Sequence, residues 1–142
     1  MEKNSLFQLI HAVEQFTNEA ILTWSKSFQH NVGISPILVL SELQLNGPQK
    51  QSDLANNLGY TPGAITNIAN RLIKCGYAIR KYNQHDRRHV LLEITDLGES
   101  VLLEAYEKGK EIRIQLFQTL TEEEIQQFAS IHEKLTGKFK DL

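Results

Sequence analysis

The chain has 142 residues, 41% of them hydrophobic, and a net charge of −2 at pH 7. That suits one domain of ordinary size with enough apolar material for a core, and it excludes global disorder. Apolar runs stay as short as ILVL at 37–40, far below the roughly 20 residues of a membrane span. The single cysteine, Cys75, excludes an internal disulfide and a multi-cysteine zinc site.

Residues 5–30 place Leu6, Ile10, Val13, Phe16, Ala20, Trp24 and Phe28 mostly three and four apart, which predicts a long first helix. Ser35 reads as an N-cap followed by Pro36 in the first turn, so 36–45 is predicted as a short, heavily buried helix carrying Ile37, Leu38, Leu40, Leu43 and Leu45. The NGP of 46–48 ends it. QSDLANNL, 51–58, predicts a third helix stopped by Gly59, with Lys50 a poor cap and Ser52 able to serve if the helix starts late. Thr61 and Pro62 open a fourth, over 61–75. Its inner face is Ile65, Ile68, Ala69, Leu72 and Ile73, and Gly76 is its stop. YAIRKY and HVLLEI then read as two strands around a polar tip, 83–88.

Thr95 caps a long helix predicted over about 96–119, with Leu97, Val101, Leu102, Ala105, Ile112, Leu116 and Leu120 at or near its inner face. Gly109 inside it implies a bend or a close helix contact. TEEE at 121–124 is a capping box, and Ile125, Phe128, Ile131, Leu135 and Phe139 continue the last helix. The order is four helices, a hairpin and two helices, so the centre is a helix-turn-helix with a hairpin attached. Helices as long as 5–30 and 96–140 carry more apolar surface than one small domain covers. They are expected to pack across a dimer axis, the alternative being mutual burial in a monomer.

Charge is unevenly spread. Residues 50–90 hold seven basic side chains against two acidic, while both flanks are acidic. A basic island of this kind fits a polyanionic partner, although an ordinary solvated surface would look the same. The outer face of the fourth helix carries Gly63, Ala64, Thr66, Asn67, Asn70, Arg71 and Lys74. Gly63 and Ala64 permit close approach, Asn67 and Asn70 suit adenine, and Ala64 or the Thr66 methyl suits a thymine methyl. With Thr61 these are candidate major-groove residues, and Arg71 and Lys74 suit phosphate. At the tip, Arg87 and Arg88 suit a narrow minor groove. Asp86 is read as the partner that orients Arg88. His85 and His89 are four apart but flank this Arg-rich turn, where phosphate is the more natural partner. None of the five histidines forms a convincing metal pair, so neither metal nor cofactor is expected. No phosphate loop or nucleophile elbow is present, and catalysis is not expected.

Residues 53–98, DLANNLGYTPGAITNIANRLIKCGYAIRKYNQHDRRHVLLEITDLG, resemble the core of the MarR family of winged helix-turn-helix transcriptional regulators. The matching positions are Leu54-Ala55, Leu58, Arg71-Leu72, Gly76, Arg80, Asp86-Arg87-Arg88, Ile94-Thr95 and Gly98. The resemblance implies a mainly α fold with a small β-hairpin. It divides the 142 residues into a DNA-binding region, 36–95, and dimerisation helices at 5–30 and 96–140. It implies a homodimeric regulator of double-stranded DNA, usually a repressor, with Arg88 as the minor-groove arginine supported by Asp86. Family members often release DNA when a small molecule, metal or oxidant acts on them, so release by a small molecule or another effector is expected here, with Phe16, Trp24 and Phe28 as candidate lining residues of its cleft, although an aromatic stripe at helical spacing is more often core than pocket. Cys75 lies away from the first helix, where one redox subgroup keeps its thiol, and is read as structural. Asn67 stands where many members have a longer polar residue, which leaves the preferred base sequence open. The N-terminus lacks a signal-peptide plan, so a cytoplasmic location is expected. The rival reading is a winged helix used for protein contacts alone.

Overall fold

The computed structural model describes residues 3–82, 85–86 and 90–142. Its elements are α1 (Lys3–Ser27), α2 (Ile34–Asn46), α3 (Gln51–Leu58), α4 (Pro62–Lys74), β1 (Ala78–Tyr82), β2 (Val90–Ile94), α5 (Asp96–Phe117) and α6 (Glu122–Lys138), followed by a 3-10 turn, Phe139–Asp141. This is the expected order. No described helix is long and apolar enough to cross a membrane.

Local chemistry sets most of the boundaries. Thr61, Thr95 and Thr121 each accept a backbone N–H from three residues on, which satisfies a donor that the first turn would otherwise leave unpaired. At α6 the Glu124 carboxylate also accepts the Thr121 N–H at 2.9 Å, completing the capping box. Gly59 and Gly76, with φ of 73° and 81°, take the left-handed conformation that ends α3 and α4. After α4 the Gly76 and Tyr77 N–H groups bond to the Ile73 and Leu72 carbonyls at 3.0 and 2.9 Å, a Schellman closure.

One expected cap is corrected, and one left open is settled. α2 starts two residues early, with Gly33 at its N-cap and no side-chain bond, so Ser35 lies inside the first turn. α3 begins at Gln51 behind Lys50, also without a side-chain bond, so Ser52 lies inside the helix.

The core sits where α2, α3, α4, β2 and α5 meet. Val39, Leu40, Leu43, Leu54, Ile65, Ala69, Leu72, Leu92 and Leu102 are all but sealed from water. A fully buried leucine contributes about 1.5–3 kcal/mol, so these side chains fix α4 on its support. The apolar pattern over-assigned several positions, Leu116 of α5 among them. Leu45 is 79% exposed, Leu97 54% and Leu38 45%. Leu45 falls in the last turn of α2 and Leu97 in the first turn of α5, beside the Gly76 turn. Leu38 opens onto a cavity described below.

β1 and β2 pair antiparallel, with Arg80 opposite Leu92 at the centre. A third segment joins them. Gln49 exchanges two backbone hydrogen bonds with Leu92, at 3.1 and 2.7 Å, tying the α2–α3 connection to the hairpin. At the hairpin's base the Thr95 N–H donates to the Tyr77 carbonyl at 3.0 Å and its hydroxyl to the Gly76 carbonyl at 2.6 Å. α5 starts so close to this strand that a Cβ on Gly98 would stand 2.1 Å from the Tyr77 oxygen. The hairpin and α5 therefore form one stiff joint.

The outer helices are different. Of α1 only Trp24 is buried, and of α6 nothing is. Phe7, Val13, Phe16, Phe128, Ile131 and Leu135 are all at least half exposed.

Candidate nucleic-acid interface

α4 is held from behind and open in front. Ile65, Ala69 and Leu72 anchor it, while Thr61, Gly63, Thr66, Asn67, Asn70, Arg71 and Lys74 are exposed and Ala64 is half-buried. Nothing lies within 4 Å of where a Cβ on Gly63 would stand, so a flat surface could come close at the helix start.

The hydroxyls and amides on this face are partly committed. Thr61 Oγ1 accepts the Ala64 N–H at 3.1 Å. Thr66 donates its hydroxyl to the Pro62 carbonyl at 2.9 Å and accepts from Gln51 Nε2 at 3.4 Å, linking α3 to α4. Asn70 Oδ1 accepts from Arg80 Nη2 at 2.8 Å. For Asn67 no partner is found among the described residues.

Arg71 departs furthest from expectation. Its Nε and Nη2 donate to the Asn31 carbonyl at 3.0 and 2.5 Å, and Nη2 also reaches Asn31 Oδ1 at 3.1 Å. The guanidinium braces α4 against the α1–α2 connection instead of standing free for a phosphate. Lys74 stays exposed at the last turn.

On the hairpin, His85 is exposed and Asp86 half-buried. Arg87, Arg88 and His89 lie outside the described residues, so the expected Asp86–Arg88 pairing does too. Arg80 is a basic residue near α4 that the sequence reading left out of the site. Strand alternation is the signal that finds it. Ala78 is buried, and two residues on Arg80 leaves the same face, which is the side toward α4. Arg80 also lines a groove of about 490 Å³ with Lys50, Gln51, Ser52 and Tyr82, between the start of α3 and the hairpin.

The three aromatic residues expected in one cleft do not share one. Trp24 and Phe28 are core residues, stacked at 4.8 Å, with the Trp24 indole N–H donating to the Ala105 carbonyl at 3.1 Å. Trp24 lines a cavity of about 250 Å³ among α1, α2 and α5, with Ile37, Leu38, Tyr106, Ile112 and Arg113. Phe28 borders a separate groove beside His30 and Glu104. Phe16 lies in a third, between α1 and the α5–α6 corner. The reason is helical rise. Twelve residues of helix span about 18 Å, too far for one small cavity. Among the described residues, no three His, Cys, Asp or Glu side chains are placed to hold a metal.

Two helices joined by a short turn, the second exposed along a small polar face, with a hairpin against it and a brace behind it, define a winged helix-turn-helix protein. The sequence model of the MarR family matches residues 34–90. The HTH-type transcriptional repressor MdtR of Bacillus subtilis is 35% identical over 69 residues, 47% of this chain and 44% of that protein. Here and with a second Bacillus subtilis regulator, YkoM, the chain spans about half the length of the curated relatives it matches. The crystal structure of the YusO protein from Bacillus subtilis superposes with a TM-score of 0.79 at 29% identity, over 96% of this chain and 99% of the other. A MarR family protein from Bacillus stearothermophilus gives 0.84 at 17% identity, over 99% of each chain, a likeness of fold. The family model, the curated repressor and the solved structures agree in what this chain resembles, a MarR-type winged helix-turn-helix regulator.

Proposed function

We propose that this chain is a cytoplasmic, sequence-specific DNA-binding transcriptional regulator that acts as a homodimer, represses from a pseudo-palindromic operator and is released by a small-molecule effector. α4 enters the major groove and the hairpin follows the adjacent minor groove. The observation that carries this reading is the α4 face. It is exposed, polar and free of bulk at Gly63, yet rigidly anchored by Ile65, Ala69 and Leu72. Phosphate contacts supply most of the affinity and base contacts the specificity. Lys50, Lys74, Lys81, Arg87 and Arg88 are the basic residues proposed for phosphate and minor groove. Arg71 contributes as a brace.

The dimer is supported by α1 and α6, whose apolar side chains, Trp24 apart, stay largely uncovered within one chain. The effector is assigned to the cavity among α1, α2 and α5, whose wall is largely apolar, with Arg113 its one cation among the described residues. Because the cavity abuts both the outer helices and the support of α4, a molecule seated there would bear on the spacing of the two DNA-reading helices.

The test is selection of bound sequences from random duplex DNA, followed by a salt titration on the selected site. The expected result is a pseudo-palindrome with half-site centres about 10 bp apart. The affinity should fall steeply with salt, by about 0.9 in log K per log salt for each phosphate. A single asymmetric half-site would overturn the dimeric reading. No duplex binding would leave a winged helix for protein contacts.

A further inference from the structure

Asn67 and Asn70 lie three residues apart on one exposed face, and the structure treats them differently. Asn67 keeps both halves of its amide available, with no partner among the described residues. Asn70 does not, because Arg80 Nη2 stands 2.8 Å from its amide. A guanidinium only donates, so the amide atom facing it must be oxygen. Which way the amide points is thus settled by chemistry, and its NH2 is turned from Arg80.

Adenine is read by asparagine through two bonds at once. The amide oxygen accepts from N6 and the NH2 donates to N7. With one of its oxygen's two lone pairs held in a charge-assisted bond and a guanidinium crowding the other, Asn70 presents its NH2 more readily than its oxygen. Guanine presents two acceptors side by side, N7 and O6, whereas adenine places a donor beside its one acceptor. An amide whose donor is open and whose acceptor is engaged and crowded by a cation favours guanine. Arg80 is placed for this by the register. It shares a face with buried Ala78 and sits opposite buried Leu92, so its side chain leaves the strand beside α4.

We propose that Arg80 is a specificity-determining residue that acts through Asn70, converting it from an adenine reader into a donor that selects guanine. The inference rests on the reading of α4 as the major-groove helix. Arg80 is a positioning residue in this scheme, and the base contact belongs to Asn70.

The experiment compares sequences selected from random duplex DNA by the parent, Arg80→Ala, Asn70→Ala and the double variant, all at one salt concentration. Both residues are exposed, so all four proteins are expected to unfold at nearly the same temperature. At the base pair that Asn70 meets, the parent should favour guanine. In Arg80→Ala the guanine-to-adenine ratio should fall by about tenfold, the scale of one good bidentate contact. The pair met by Asn67 should be unchanged. Asn70→Ala should flatten the position, and removing Arg80 as well should add nothing there. A uniform loss of affinity with an unchanged sequence profile would make Arg80 a phosphate contact and overturn the proposal. A parent protein that bound no duplex would overturn the DNA reading itself, and this with it.

Discussion

Replacing Gly98 by alanine adds one methyl group at the tightest point of the molecule. Its Cβ would stand 2.1 Å from the Tyr77 carbonyl oxygen, 2.9 Å from Ile94 Cγ1 and 3.0 Å from the Tyr77 carbonyl carbon. A carbon–oxygen contact relaxes at about 3.3 Å, so the first turn of α5 would have to retreat by roughly 1 Å. That movement breaks the two bonds from Thr95 to the Tyr77 and Gly76 carbonyls, each contributing about 1 kcal/mol net. Residual overpacking costs about 1–3 kcal/mol. Alanine's better helix propensity returns about 1 kcal/mol. The expected outcome is a loss of about 2–4 kcal/mol, or roughly 10 °C in melting temperature. Circular dichroism at fixed protein concentration measures it. Gly137→Ala and Gly109→Ala are the controls. Nothing lies within 4 Å of a Cβ on Gly137, and one on Gly109 would make an ordinary 3.7 Å contact with Trp24. Both should stabilise by about 0.5–1 kcal/mol. A Gly98→Ala protein within 1 kcal/mol of the parent would refute the close joint between hairpin and α5.

Three further outcomes are expected. Trp24→Phe keeps the ring stack but loses the bond to the Ala105 carbonyl, which should lower stability by about 1–2 kcal/mol in urea unfolding; an unchanged midpoint would show that the indole N–H holds nothing. Arg71→Ala removes the brace to Asn31 and should cost about 1–2 kcal/mol in the same assay, while the salt slope of DNA binding stays as in the parent; a slope reduced by about one phosphate would restore the contact first expected of it. The Thr121 backbone N–H, then its hydroxyl, hold the Glu124 carboxyl below the ordinary glutamate range. A carboxylate with a lowered folded pKa contributes stability above its unfolded pKa and loses it as pH falls through the folded value. The α6 start should therefore fray only at acid pH, and an NMR titration placing Glu124 at or above its neighbours Glu122 and Glu123 would contradict the capping box.

The fold was readable where structure is local. Thr61, Thr95 and Thr121 cap because the residues they serve are three positions away, and Gly59 and Gly76 stop helices because only the next turn decides it. The outward face of α4 followed from the spacing of Ile65, Ala69 and Leu72 in the same way. What sequence could not supply is pairing across distance. Asn31 meets Arg71 forty residues on, and Gln49 joins the hairpin through backbone groups that carry no residue signature. Phe16, Trp24 and Phe28 share a stripe, yet each meets a different neighbour, because a periodic pattern gives a face and not what lies opposite it. Arg80 was legible only with the strand face known, since its meaning comes from Asn70. Gly109 implied a bend or a close helix contact; it does face Trp24, yet a methyl fits there.

In α6, seventeen residues form a capped helix in which no side chain is sealed from water within one copy of the chain. Such a segment gains almost nothing from its own tertiary neighbours, so its order must be shared with whatever covers it. Dilution should then act as a denaturant. The melting temperature of the outer helices should climb with protein concentration, while the interior around Leu40 and Leu72 answers to heat alone.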